Sequence, residues 1–358
     1  MLRVFATCNI GEDALNRIRE RGIDLEVYDH IDPPPKQLIL EKVRSGIDGL
    51  ITTLRDVIDW EIFEAGSETL KVVAQDAVGF DNIERKAANH FKIPFTNTAD
   101  VLTHATAEFA FFILGCVSRK LYPSENMVRE LKWSTWHPSE PFLGDEVTGK
   151  TVGVVGTGRI GKAFALKCTG FGMDILCCDE FEDQAFIDTL QQILDLGFST
   201  GLDKTRRRIE YQPFDEVLKK SDYISLHVPL TPETHHLIGK SAIQSMKREA
   251  YLINTSRGPV VDESALYCAL KENRIRGAAL DVFEQEPLSG NSPLMDPEIK
   301  DRIRLFHHFA SATHETRLSP DPEIGMAGRC VQGLLDVLEG RYRGDYGAMP
   351  YVVNKEAF

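Results

Sequence analysis

Short apolar runs rich in Val, Ile and Leu recur along the chain, with stretches of helical period between them. Runs at 2–7, 25–28, 49–53, 70–75 and 93–96 predict strands, and the patterns at 12–21 and 36–45 predict helices. Between the second strand and its helix, Asp32-Pro33-Pro34-Pro35 breaks any continuation. This alternation predicts a small parallel sheet covered on both faces. A long amphipathic helix is expected at 103–121, with Ala105, Phe109, Phe112, Ile113 and Val117 on its apolar side. The strand–helix rhythm restarts at Thr151, with further strands at 175–178, 223–227, 251–254, 278–282 and 304–309. A helical tail from about residue 315, including 327–338, leads to the end.

With 358 residues the chain exceeds what one hydrophobic core usually supports. The first sheet lacks a closing element, so the tail is expected to pack back onto it. The expected division is 1–102 with 318–358 as one domain and 103–317 inserted as the other, a ligand cleft lying between them. Two of the three tryptophans fall in Lys132-Trp133-Ser134-Thr135-Trp136-His137-Pro138, within an irregular stretch that ends near Gly144. Large aromatics there suggest an arm at about 121–147 that contacts a second subunit, against the alternative of an arm folded on its own chain. Residues 180–211 read as a polar, irregular surface excursion containing one helix, 184–194.

Composition narrows the function classes. A net charge of −13 argues against non-specific nucleic-acid binding without excluding an anionic substrate, since local sites can oppose the global field. The one basic run, Thr205-Arg206-Arg207-Arg208, reads as a solvated loop. Seven scattered cysteines without Cys-x-x-Cys spacing suit free thiols in a reducing compartment, and neither they nor the His235-His236 pair has metal-ligand spacing. No apolar stretch approaches the roughly 20 residues of a membrane helix, and the N-terminus enters a strand without a cleavable leader, so a cytoplasmic location is expected.

The strongest motif is Thr151-Val152-Gly153-Val154-Val155-Gly156-Thr157-Gly158-Arg159-Ile160-Gly161, followed by a strand that ends in Asp179. Gly156 permits the tight turn, Gly158 lets a pyrophosphate approach the backbone, and Gly161 lets helix and strand pack closely. The helix N-terminus then offers N–H groups to phosphates, and Asp179 can accept from both adenosine ribose hydroxyls. Strand, turn, helix, strand and acid in this order predict a dinucleotide site.

Three further elements fall at predicted C-terminal strand ends: Arg257 in Asn254-Thr255-Ser256-Arg257-Gly258, Glu286 after Asp281-Val282-Phe283, and His308 before Phe309-Ala310-Ser311-Ala312-Thr313. Reduction of a carbonyl next to a carboxylate needs such a set: arginine for the anion, protonated imidazole as general acid, and a carboxylate behind the ring. An isolated Arg, Glu or His is ordinarily a surface or packing residue. Sharing one strand edge exempts these three from that reading. His307 and His314 have no such exemption, because neighbours on a strand face opposite ways and His314 begins a helix.

Taken together, the chain resembles the D-2-hydroxyacid dehydrogenases, in particular their glyoxylate and hydroxypyruvate reductase branch. The resemblance rests on Ala77-Val78-Gly79-Phe80-Asp81-Asn82, Asn97-Thr98-Ala99-Asp100-Val101-Leu102-Thr103, the glycine loop, His227-Val228-Pro229-Leu230-Thr231-Pro232-Glu233-Thr234 and the three catalytic phrases. It implies two doubly wound α/β domains, a Rossmann-type NAD domain inserted in a flavodoxin-like substrate domain. It further implies Arg257 as substrate arginine, His308 as proton donor and Glu286 as its partner. Leu54, Val78 and Gly79 would hold the substrate carboxylate, and Asp281 the nicotinamide carboxamide. Thr106, Arg159, Ile160, Asp179, Pro229, Thr234, Thr255 and Ala310 would line the cofactor beside Gly156, Gly158 and Gly161. NADH is expected over NADPH, with a small 2-oxo acid as substrate. The segment from Trp136-His137-Pro138 to Phe142-Leu143-Gly144 resembles the branch whose arm tryptophan reaches the partner subunit's active site, so a homodimer is expected. Two departures stand out: His307 replaces the usual proline before the catalytic histidine, and the segment after Asp179 is longer than usual, so that Arg206–Arg208 could soften the bias against NADPH. A reductase of larger 2-oxo acids and an NAD-sensing corepressor-like protein remain as alternatives.

Overall fold

The computed structural model describes residues 1–139 and 143–358. These form two compact units, Met1–Thr103 with Ser311–Phe358 and His104–Ala310.

In the first unit, β1 (Arg3–Ala6), β2 (Asp24–Val27), β3 (Gly49–Thr52), β4 (Val72–Gln75) and β5 (Phe95–Thr96) lie parallel in the order β2-β1-β3-β4-β5. Strands β3 and β4 are buried at every position, as their unbroken apolar runs require. The helix Met326–Leu338 covers one face, packing Ala327, Val331, Leu334 and Leu335 with Val4, Ala6, Ile51, Val72 and Ala74. Helices Lys36–Arg44 and Trp60–Ala65 cover the other, over Phe5, Leu50, Val73 and Phe95.

The second unit holds a seven-stranded sheet: β6 (Thr151–Val155), β7 (Asp174–Cys178), β8 (Ile209–Tyr211), β9 (Tyr223–Leu226), β10 (Tyr251–Asn254), β11 (Gly277–Leu280) and β12 (Ile303–Leu305). All run parallel, in the order β12-β11-β10-β9-β6-β7-β8. The order reverses between β6 and β9, the switch point at which doubly wound sheets open to a ligand.

Three expectations need correction. The 180–211 segment is more than a surface excursion: it contributes a helix, Gln184–Ser199, and the edge strand β8. Ile187, Leu190, Leu194 and Ile209 bury their side chains in the sheet's core, which holds the segment down. The long helix ends at Ser118, Lys120 turns left-handed (φ 54°), and a separate helix Leu121–Arg129 begins the arm. The last strand stops at Leu305, so His308 is not on a strand. Of the expected arm, 140–142 lie outside the described residues. No helix among the described residues is long and apolar enough to cross a membrane.

Candidate active site

Parallel pairing in register brings the ends of β6, β7 and β9 to one sheet edge, with Val155 opposite both Cys178 and Leu226. Gly156 (φ 94°) takes a backbone conformation that side chains rarely adopt, and a Cβ there would lie 2.8 Å from the His227 carbonyl group. A Cβ on Gly161 would lie 1.9 Å from the Gly156 carbonyl oxygen. Around a Cβ on Gly158, by contrast, nothing lies within 4 Å. Two glycines therefore close the turn against the sheet, and the third leaves open space where the helix Arg159–Thr169 begins. No side chain caps that helix, so its first turn suits a phosphate. Beneath the loop, burial pushes the His227 imidazole down to about 3, so the ring stays neutral against Ser225 Oγ (2.9 Å) and brings no charge of its own.

Asp179 follows β7 directly. Its Oδ2 accepts the Thr157 N–H and, at 3.1 Å, the Thr157 hydroxyl, while Oδ1 accepts the Phe181 N–H at 3.0 Å. Two arginines of the basic run are held elsewhere. Arg207 sits with Asp174, at the start of β7, and with the Gly149 carbonyl, while Arg206 pairs with Asp195. β7 spans five residues, so Asp174, the partner of Arg207, lies about 16 Å along the strand from Asp179.

Arg159 and Ile160 open the glycine-loop helix, and Thr106 is buried in the helix Thr103–Ser118. After β9, the Thr234 hydroxyl donates to the Pro229 carbonyl at 2.6 Å and accepts from Thr231 N at 2.8 Å, closing a turn. Thr255, after β10, buries a hydroxyl without a partner among the described residues. Such an orphaned donor at a strand end fits a ligand supplying the missing contact.

β10, β11 and β12 position the remaining groups. The Asn254 amide donates to the Arg257 carbonyl at 2.9 Å and fixes the loop after β10. A Cβ on Gly258 would fall 1.8 Å from the Phe283 carbonyl carbon, so only glycine lets this loop lie against the one carrying Glu286. Glu286 Oε1 accepts the Phe283 N–H at 3.0 Å, and Oε2 lies 2.9 Å from His308 Nδ1. The carboxylate can only accept, so Nδ1 carries the hydrogen and Nε2 is left for chemistry. Burial alone would raise the Glu286 carboxyl, but the His308 hydrogen bond and charge, the Phe283 N–H and the charge of Arg257 outweigh it and hold it below the usual range. Behind it, Glu263 and Glu284 cap each other's backbone N–H groups at 3.0 and 2.7 Å, tying this loop to the helix Glu263–Lys271.

Asp281, expected at the nicotinamide carboxamide, is fully buried, and its two oxygens accept the N–H groups of Phe309 (2.7 Å) and Ala310 (2.8 Å). Its carbonyl accepts the His308 N–H. These contacts explain why the last strand ends early and His308 takes φ 56°. His307 is exposed, its ring 5.1 Å from that of Phe309, and His314 is exposed at the start of the helix His314–Leu318.

In the first unit, Leu54 lies in a turn fixed by Asp56, whose Oδ2 accepts from Thr7, Thr52 and Thr53. Two side chains that sequence reasoning passed over hold the Val78–Gly79 backbone. Asn97 donates to the Val78 carbonyl at 2.8 Å, and Gln75 to the Gly79 carbonyl at 3.1 Å. With both carbonyls turned to the protein, the N–H groups of Val78 and Gly79 have no partner among the described residues. Asp76, also passed over, has an oxygen shut off from solvent and unpartnered; burial pushes its carboxyl up to about 7, against the pull of Arg317.

A glycine loop, an open helix N-terminus and an imidazole–carboxylate pair along one parallel-sheet edge define a dinucleotide-dependent oxidoreductase domain. Comparison makes this specific: the chain belongs to the D-isomer specific 2-hydroxyacid dehydrogenases, whose NAD binding domain model matches residues 111–308. A relative from Korarchaeum cryptofilum named glyoxylate reductase is 46% identical over 316 residues, 88% of each chain. Another of that name, from Thermococcus litoralis, is 40% identical over 358 residues, covering 99% of this chain and 97% of its own. Among solved structures, the D-lactate dehydrogenase of Aquifex aeolicus, complexed with NAD and lactic acid, superimposes with a TM-score of 0.76 at 27% identity, covering 98% of this chain and 99% of that one.

Proposed function

We propose that the protein reduces a small 2-oxo acid, glyoxylate or hydroxypyruvate, to the D-2-hydroxy acid with NADH. The observation that carries this reading is the His308 Nδ1–Glu286 Oε2 pair at 2.9 Å in a domain of this family. The relatives' name, glyoxylate reductase, supports the substrate class. When bound, the dihydronicotinamide supplies the hydride. His308 delivers the proton from Nε2 to the carbonyl oxygen as negative charge develops there. Glu286, ionised through the neutral range, favours the imidazolium and holds the ring's orientation. Arg257 pairs with the substrate anion through its fork of donors. Val78 and Gly79 N–H groups, with the Leu54 turn, receive the carboxylate, while Asp281 holds the loop that carries His308.

For the cofactor, Gly156, Gly158, Gly161, Arg159 and Ile160 surround the pyrophosphate, Asp179 takes the ribose, and Thr106, Pro229, Thr234, Thr255 and Ala310 line the rest. A 2′-phosphate set against Asp179 would cost about 4 kcal/mol for unit charges 4 Å apart at an effective dielectric of 20. The pairing of Arg206 with Asp195 and of Arg207 with Asp174 supports NADH, since neither arginine is spent on a 2′-phosphate.

The working form is a homodimer joined through 121–147. Met127, Val128, Trp133 and Leu143 line one groove of about 620 Å³ together with Arg119, Ser124 and Glu146, and Leu131 and Trp136 are 91% and 76% exposed. Large side chains left open along one arm, with polar groups among them, support an interaction face.

NADH oxidation across glyoxylate, hydroxypyruvate, pyruvate and bulkier 2-oxo acids tests the reading. Glyoxylate and hydroxypyruvate should give the highest kcat/KM. A bulkier acid in first place would sink the substrate choice, and NADH binding without turnover on any acid would point to a sensor.

A further inference from the structure

Strand β8, which comes from the elongated segment, pairs Tyr211 with Cys177 and so brings its hydroxyl to the strand edge that holds Asp179. There the Asp183 N–H donates to the Tyr211 hydroxyl at 3.0 Å, and that hydroxyl lies 2.9 Å from Thr157 Oγ1. Thr157 Oγ1 in turn lies 3.1 Å from Asp179 Oδ2. The hydrogens along this path have one consistent arrangement. An ionised carboxylate only accepts, so Thr157 spends its single hydroxyl proton on Asp179 and must accept from Tyr211. Tyr211, having donated, accepts from Asp183. Every donor points toward Asp179, and each bond polarises the next. The Thr157 N–H on Oδ2 and the Phe181 N–H on Oδ1 complete the grip, so the carboxylate cannot turn aside.

Lys162, on the glycine-loop helix, is engaged with Asp183, and Arg159 stands at the first position of that helix. Glu180 and Glu182 add further negative charge in the adjoining chain.

We propose that the Thr157–Tyr211 hydroxyl pair is a specificity-determining device that pins the Asp179 carboxylate at the ribose position and thereby rejects a 2′-phosphorylated dinucleotide. The inference rests on the reading of Asp179 as the ribose-binding acid. A freely rotating Asp179 could swing away from a 2′-phosphate at the cost of one side-chain rotamer, whereas a pinned one must first break its hydrogen bonds. Neither residue bears charge, so the effect works through the position of the carboxylate and not through an added field.

The test measures binding of NAD⁺ and NADP⁺ by calorimetry, without substrate, to the wild type, Tyr211→Phe, Thr157→Val, the double variant and Asp179→Asn. The wild type should favour NAD⁺. Each single hydroxyl variant should lower the NAD⁺/NADP⁺ affinity ratio about three- to tenfold, the usual net worth of one hydrogen bond. The double variant should lower it no further than Thr157→Val alone, because both changes cut the same chain. Asp179→Asn should lower the ratio most. A full wild-type ratio in both single variants, or additive losses in the double variant, overturns the proposal while leaving Asp179 in place. An unchanged ratio in Asp179→Asn overturns the reading of Asp179 and this device with it. Two independent hydroxyl variants keep the test decisive if one of them folds poorly.

Discussion

The backbone N–H of His308 donates to the carbonyl of Asp281 at 2.8 Å, while the Asp281 carboxylate holds the next two N–H groups of the same loop. One buried acid thus fixes the stretch of chain that aims the imidazole. Asp281→Asn leaves a single acceptor and turns an NH₂ group toward a buried N–H. The expected loss is about 1–3 kcal/mol for the unsatisfied donor, read as a drop of several degrees in melting temperature, together with a lower kcat. A variant as stable as the wild type would show that the clamp does not hold the loop.

His308→Gln is expected to cut turnover by roughly 10²–10⁴-fold while NADH still binds, the span for loss of a general acid. His307→Gln and His314→Gln should stay within a few-fold, since both side chains are exposed and neither contacts Glu286 in any described hydrogen bond. Steady-state kinetics of the three variants decides it. Near-normal turnover in His308→Gln, with collapse in either neighbour, would reassign the donor.

Glu286→Gln should lower kcat roughly tenfold or more while NADH still binds, because a neutral amide no longer balances the charged ring that gives up the proton. Because Glu286 is held below the usual carboxylate range, wild-type turnover should persist into acid pH and fall only as that carboxylate takes up a proton. Wild-type kcat in the variant would mean that Glu286 acts on the ring by packing alone.

Asp76→Asn should be more stable than the wild type above neutral pH. The Asp76 carboxyl is raised to about 7, so the stability it permits is complete below the ordinary carboxylate value near 3.8 and is lost as pH rises through about 7. Melting temperatures at pH 5 and pH 8.5 should therefore fall further in the wild type than in the variant. Identical falls would place Asp76 in contact with solvent or with a stronger cation.

Light scattering at micromolar concentration should give a dimer, and Trp133→Glu with Leu143→Glu should shift it toward monomer by placing charges in the groove. A wild-type monomer would remove the arm's interface role and with it any contribution of Trp136 to a second active site.

Much of this was written locally. Runs such as 49–53 and 70–75 are apolar throughout because β3 and β4 are covered on both faces, so burial itself wrote the pattern. Gly156, Gly158 and Gly161 were legible for a similar reason: turn geometry and close packing admit no side chain at two of them, and the phosphate approach needs open space at the third. Arg257, Glu286 and His308 stood out because each lies just beyond a strand. Contacts distant in sequence decided the rest. Asp281 acts 28 and 29 residues ahead of the amides it captures, so the early end of β12 and the left-handed His308 had no local signal. Strand β8 is three residues long with one fully buried side chain, too short for a period to register. The Asp183–Tyr211–Thr157–Asp179 path spans 54 residues at its longest step, between two side chains with nothing unusual around them in sequence. Local pattern records which faces are buried and where backbone is constrained; only folding decides which distant polar groups satisfy one another, because that choice depends on strand order and register.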